Sequence, residues 1–195
     1  MLLKSLRVLL IDENPGRSAS LEQALRDAGH DVLLHPANAY NVLDQVEKIR
    51  PDIILIDMAS PDRDVLEHLR GMHQEHAKPV VLFAEHSDDA VFAAALRAGV
   101  SAYVVDAINP QLLKSIMQVA ISRFEEYQAL RQELADVRVR LAERKLIDKA
   151  KGMLMQQKNL TEEAAYNMLR KLAMDRNQRL GEVARNVISV LDLLG

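Results

Sequence analysis

Five short apolar runs, at residues 6–12, 31–35, 52–58, 79–85 and 102–106, limit what this chain can fold into more than any other feature. They are continuous stretches of Val, Ile and Leu rather than alternating ones, as expected of strands buried on both faces. Between them lie segments of roughly 10 to 15 residues with helical periodicity, the length of a crossover helix. The pattern predicts an α/β domain with a five-stranded parallel sheet covered by helices. Ligands of such a sheet bind at the carboxyl ends of its strands. There the sequence places Asp12 and Glu13, Asp57, Ala84 and Asp106.

Residues 111–151 contain neither Pro nor Gly, so the helix after the fifth strand can run on for about 60 Å. Within it Ile116, Ala120, Tyr127, Leu130, Leu134, Val137 and Leu141 follow alternating steps of four and three, broken only by Arg123. Such a seam predicts a coiled-coil homodimer. The alternative is that the stripe packs back on its own sheet domain, although it outruns what five strands can cover. Further on, residues 143–157 form an amphipathic pattern. Leu146, Ile147, Ala150, Met153 and Leu154 fall on one face, and Arg144, Lys145, Lys149, Lys151 and Gly152 on the other. A helix-interior glycine costs about 1 kcal/mol relative to Ala, so Gly152 directly after Lys151 marks a place where a backbone comes close; phosphate suits it.

After residue 157 the chain turns, and Thr161 is a good N-cap with Glu162 and Glu163 in the first helical turn. In that second helix Ala165, Met168, Leu169, Leu172 and Ala173 face inward, with Tyr166 at the edge beside Arg170. A third helix over residues 180–194 presents Val183, Val187, Val190, Leu191 and Leu194. The C-terminal part therefore reads as a small three-helix domain. Residues 1–141 carry 15 Lys and Arg against 21 Asp and Glu, whereas residues 142–195 carry 10 against 7, so the two ends suit different partners. No apolar run of about 18 residues and no signal-peptide pattern is present, which places the protein in the cytoplasm and off the membrane. Zero cysteines exclude disulfides and thiolate chemistry. His30, His35, His68, His73, His76 and His86 lack metal-ligand spacing, and no nucleophile sits with a base. An enzyme is therefore not expected.

Residues from about 5 to 125 resemble a bacterial response-regulator receiver domain, a flavodoxin-like fold. Asp12-Glu13 matches the family's acidic pair, Asp57 its phospho-acceptor, and Ser60-Pro61 the following turn. The resemblance implies Mg²⁺ held by Asp12, Glu13 and Asp57, with phosphoryl transfer to the aspartate. Two positions depart from the pattern. Ala84 stands where the family has Thr or Ser, and Asp106-Ala107 where it has Lys-Pro. Asp106 joins Asp12, Glu13 and Asp57 in an acidic pocket that favours a resident cation and disfavours an added phosphate. The expectation is a receiver that signals by docking, with no cofactor required.

Arg144, the run from Ile147 through Lys151 and Gly152 to Met155, Thr161-Glu162-Glu163-Ala164, Leu169, Ala173-Met174-Asp175-Arg176-Asn177 and Leu180 resemble the ANTAR domain. The three parts are expected at residues 1–122 (receiver-like), 111–143 (coiled-coil linker) and 135–195 (ANTAR). The resemblance implies a dimer that grips paired hairpin loops in a leader RNA and prevents a terminator hairpin. An ANTAR domain with a degenerate receiver is similar to nitrate/nitrite-assimilation antiterminators, which are held by a separate nitrate-sensor protein. Candidate RNA contacts are Arg144, Lys145, Lys149, Lys151, Gly152, Tyr166, Arg170, Arg176 and Arg179. For the lysines a solvated helix face is the plain alternative, and Tyr166 is as readily a core-edge aromatic as a stacking platform. Competing readings are a phosphorylation-controlled DNA-binding regulator and a pure protein-interaction adaptor.

Overall fold

The five apolar runs form β1 (Arg7–Asp12), β2 (Asp31–Pro36), β3 (Ile53–Met58), β4 (Val80–Ala84) and β5 (Ala102–Val105) in the computed structural model. It describes residues 5–12, 15–36, 42–86, 88–105 and 110–194. All neighbouring strands are parallel, in the order β2-β1-β3-β4-β5. Helices α1 (Pro15–Asp27), α2 (Val42–Ile49), α3 (Arg63–Glu75) and α4 (Asp89–Arg97) alternate with the strands, and α5 (Pro110–Lys158) follows β5.

Successive side chains of a strand point to opposite faces, so the sheet feeds two cores. On one face Leu9, Ile11, Ile54, Ile56 and Leu82 pack with Val46 of α2, Leu69 and Met72 of α3 and Ala95 of α4. On the other, Val8, Leu10, Ile53, Leu55 and Phe83 pack with Leu21 and Leu25 of α1 and Leu113, Met117 and Ala120 of α5. Every residue of β3 and β4 is buried, which is why these strands carry no polar alternation. Asp62 and Asp88 cap α3 and α4, each accepting a backbone N–H, from Val65 and Val91, at 2.8 Å. Gly99 has φ +99°, and a Cβ there would meet His73 Cγ at 2.5 Å. The His73 ring in turn lies against Phe124 and Tyr127 of α5, with centroids 6.3 and 5.8 Å away.

The chain divides into two compact units, Met1–Gln128 and Ala129–Gly195. In the first, α5 corrects the expected seam. Ala120 is fully buried and Ile116 packs against the same core, because this side of the helix covers the sheet. Ala120 is therefore not available to a second chain, and Ile116 is partly covered by the same core. Tyr127, Leu130, Leu134, Val137 and Leu141 remain between 51% and 64% exposed. Leu112 and Val119, which the sequence reading passed over, are 54% and 53% exposed.

In the second unit the end of α5 packs with α6 (Glu162–Arg176) and α7 (Leu180–Leu194) around Ala150, Leu154, Ala165, Leu169, Ala173, Val183, Ala184 and Ile188. Val190, expected inward, is 55% exposed, and Ile188 fills the core instead. The apolar arc of α7 is centred further round the helix than the valines suggest; the Leu194 side chain lies outside the described residues. Among the described residues no helix is long and apolar enough to cross a membrane.

His30, beyond the end of α1, is buried, and the Leu6 backbone N–H donates to its Nδ1 at 3.4 Å. Burial holds the imidazole below its ordinary pKa of 6.5. The unfolded chain therefore takes up this proton at a higher pH than the folded one. The stability tied to neutral His30 is complete above about pH 6.5 and declines as the pH falls below it. Urea midpoints should drop between about pH 7.5 and 5.5, and the drop should shrink in His30→Gln; an undiminished drop in the variant would refute this source.

Candidate nucleic-acid interface

The lysines expected on one basic face are drawn to its two margins. Lys149 Nζ lies 3.4 Å from Asp192 of α7, and Lys151 Nζ lies 2.7 Å from Glu162 of α6 and 2.9 Å from Asp148. Only 16% of the Lys151 side chain is exposed. Its hydrogen bonds to Glu162 and then to Asp148 hold its pKa above the ordinary 10.5. Lys151 is thus a clamp between α5 and the start of α6 rather than a free phosphate ligand. The reason is local, since Glu162 and Glu163 favour the positive end of α6 and so bring carboxylate to the lysine.

Arg144 is 83% exposed, 3.9 Å from Asp148, and Lys145 is exposed with no ion pair among the described residues. At Gly152 nothing among the described residues, beyond its chain neighbours and its own helix backbone, lies within 4 Å of a built Cβ, so they do not make the expected close approach. It occurs instead at Gly181, where a Cβ would lie 3.1 Å from Glu143 Cγ.

A second group of expected contacts does come together. Tyr166 and Arg170 on α6 and Arg179 before α7 line a groove of about 530 Å³ with Ala173, Met174, Asn177, Gln178 and Leu180. Tyr166 is 41% exposed and Met174 71%. Arg176 is exposed but lies outside this lining. Arg170, Arg176 and Arg179 make no ion pair among the described residues. The α6–α7 turn is closed by Asn177 in the left-handed conformation (φ 49°, ψ 41°), with the Gln178 N–H donating to the Ala173 carbonyl at 3.0 Å. Asn177, Gln178 and Met174 were not among the expected contacts, which were chosen as cations and rings, although Met174 and Asn177 belong to the run that carries the ANTAR resemblance. For Gln178 the adjoining Met-Asp-Arg-Asn run was the signal.

At the sheet's carboxyl edge Asp12 and Asp57 are register partners on adjacent strands, 8% and 1% exposed. Ala84 pairs with Met58 and is fully buried, leaving no hydroxyl at the end of β4. Glu13 and Asp106 lie outside the described residues. Two neighbouring carboxylates are the hard oxygen donors that Mg²⁺ takes. Among the described residues there is no cluster of three acidic, His or Cys groups that could hold a metal.

The sequence pattern of the response regulator receiver domain matches residues 8–118, and that of the ANTAR domain matches residues 135–188. The chain is an ANTAR-domain response regulator. This regulator is 29% identical over 185 residues to the transcriptional regulatory protein PdtaR of Mycobacterium tuberculosis, covering 95% of the chain and 90% of PdtaR. It is 42% identical over 85 residues to the nitrate regulatory protein of Klebsiella oxytoca, covering 44% of the chain and 22% of that protein. Its receiver fold is similar to the signal receiver domain of a modulated diguanylate cyclase from Desulfovibrio desulfuricans G20. That match has TM-score 0.56 and 22% identity, covering 64% of this chain and 99% of the other.

In this regulator Lys151→Met should lower the melting temperature of the ANTAR unit by removing the α5–α6 clamp. Because the lysine's pKa is raised on folding, the clamp contributes fully below 10.5 and fades as the pH rises above it. The gap between wild type and variant in thermal melts should therefore persist at neutral pH and close in strong alkali. A gap unchanged across that range would show that the ion pair is not its source.

Proposed function

We propose that this regulator binds, as a homodimer, the unpaired bases of paired hairpin loops in a nascent leader RNA and so keeps a terminator hairpin from forming. The observation that carries the reading is the α6–α7 groove. Loop bases are recognised by stacking on flat side chains, by hydrogen bonds to their edges and by cations on their phosphates. Tyr166 supplies a ring, Asn177 and Gln178 supply amides, and Arg170 and Arg179 supply charge, all around one opening. A duplex-reading helix is less well supported, since the exposed face of α7 offers Arg185 and Asn186 beside Glu182, Asp192 and Val190.

The dimer is supported by Tyr127, Leu130, Leu134, Val137 and Leu141, exposed apolar side chains that a second copy of α5 would cover. Control is assigned to docking of a separate sensor protein on the receiver. Asp57 keeps its place beside Asp12, and these two carboxylates would be the ones to hold Mg²⁺, but Ala84 offers a methyl group where a hydroxyl would read the phosphoryl group. Nitrate or nitrite assimilation is the setting supported by the 85-residue match to the nitrate regulatory protein. The cytoplasm is where a nascent transcript would be met.

Affinity for two-hairpin RNA with varied loops, beside duplex DNA of the same sequence, tests the reading at fixed salt. Binding should depend on the loops, and equal weak binding to both nucleic acids would overturn it. Tyr166→Ala should weaken loop binding by about tenfold or more, the scale of one lost base stack. Arg179→Ala should flatten the salt dependence by about 0.7 in log–log slope, whereas Lys151→Met should leave both unchanged. For the seam, Leu134→Glu should shift sedimentation toward the monomer; a variant that sediments as wild type would place the dimer contact elsewhere.

A further inference from the structure

The receiver carries a second opening, whose lining does not include the acceptor aspartate, with a composition unlike the rest of its acidic domain. A groove of about 690 Å³ runs between α3 and α4, lined by Leu66, Val91, Ala94 and Ala98 with Arg63, Arg70 and Arg97 at its rims. Arg63 is held by Glu67 at 3.0 Å, and Asp88 caps α4. Arg70 and Arg97 are exposed and make no ion pair among the described residues. Leu66, Val91 and Ala94 are half-buried, so the floor is apolar and already partly dry.

The shape selects the class of occupant. A small ligand is held where most of its surface is enclosed. Here the rims are exposed and only Pro61 and Ala98 of the lining are buried, so a small anion would sit in water. An amphipathic helix is bound differently, by laying an apolar stripe into a groove and meeting the rims with its flanking charges. Ala90 and Ala94 of α4 and Ala98 at its C-cap recur at successive turns and leave room for a helix to approach. Two unpaired guanidinium groups beside that floor ask for carboxylates.

We infer that the α3–α4 groove docks an acidic amphipathic helix of a partner protein, and that this is the surface through which the receiver is gated. The inference rests on the proposed control by a sensor protein. Its link to the acceptor edge is short. The Ala59 carbonyl after β3 accepts the backbone N–H groups of Glu85 and His86 after β4, at 3.0 and 3.3 Å. The loops that start α3 and α4 are therefore tied together beside Asp57, and a wedge between those two helices loads that tie directly.

The test uses the full-length regulator and two synthetic helical peptides, one with a leucine stripe flanked by glutamates and one with lysines in their place. Chemical shifts should move at Leu66, Val91 and Ala94 with the acidic peptide and not with the basic one. Arg70→Glu with Arg97→Glu should weaken that binding by about tenfold or more, while Lys114→Glu, an exposed change outside the groove, should not. Inorganic phosphate should fail to displace the peptide. Equal binding of both peptides, displacement by phosphate, or an unaffected double variant would each overturn the proposal. Loop-RNA affinity is measured on the same variant. If RNA binding survives while peptide binding is lost, the groove and the RNA reading stand separately; loss of RNA binding in the wild type would sink the antiterminator reading without touching the peptide result.

Discussion

One helix has to satisfy two hydrophobic cores, and the rest of the molecule is arranged around that demand. α5 gives Leu113, Met117 and Ala120 to the sheet and Ala150 and Leu154 to the three-helix unit. Every side chain from residue 129 to residue 142 is exposed. A helical stretch of that length with no packed face is marginal in water on propensity alone. Yet it displays leucine and valine, and it carries neither Pro nor Gly to end it. The stretch that no core claims is thus the one that most asks for a second chain, and its neighbours on either side are already occupied.

Charge is distributed on a related principle. Cations near the margins of packed helices are neutralised within the fold, as Lys149 is by Asp192 and Lys151 by Glu162 and Asp148. Those set on turns or on free helix faces, such as Arg170, Arg176 and Arg179, stay open. The net positive count of the last fifty residues therefore overstates some positions and understates others. Whether a carboxylate of a neighbouring helix lies within reach decides which cations are paired.

Much of the fold was legible because burial on both faces leaves a plain mark, and the runs containing Leu9, Ile54 and Leu82 could hardly be anything other than strands. The heptad reading of α5 failed at Ala120, and Ile116 is partly drawn into the same core, because a steady apolar spacing does not say whether the surface it meets is a second chain or the helix's own sheet. Val190 misled for a similar reason, since one apolar residue beside an arc looks like part of it. The groove residues Asn177 and Gln178 were hidden because a turn conformation, rather than a periodic pattern, sets them beside Tyr166. Lys151 needed the position of Glu162 in space, eleven residues away, before its role could be told from that of Lys145.

Asn177 occupies a backbone conformation that glycine would adopt at less strain, and it also offers its amide to the groove. The turn and the surface therefore draw on a single side chain. Most positions in a protein let stability and surface chemistry drift apart over time, one residue absorbing each pressure. Here the two are fused, so a change that relaxes the backbone also strips the groove of a hydrogen-bonding group. The α6–α7 corner is a point at which the geometry of the turn and the chemistry of the surface are carried by one residue.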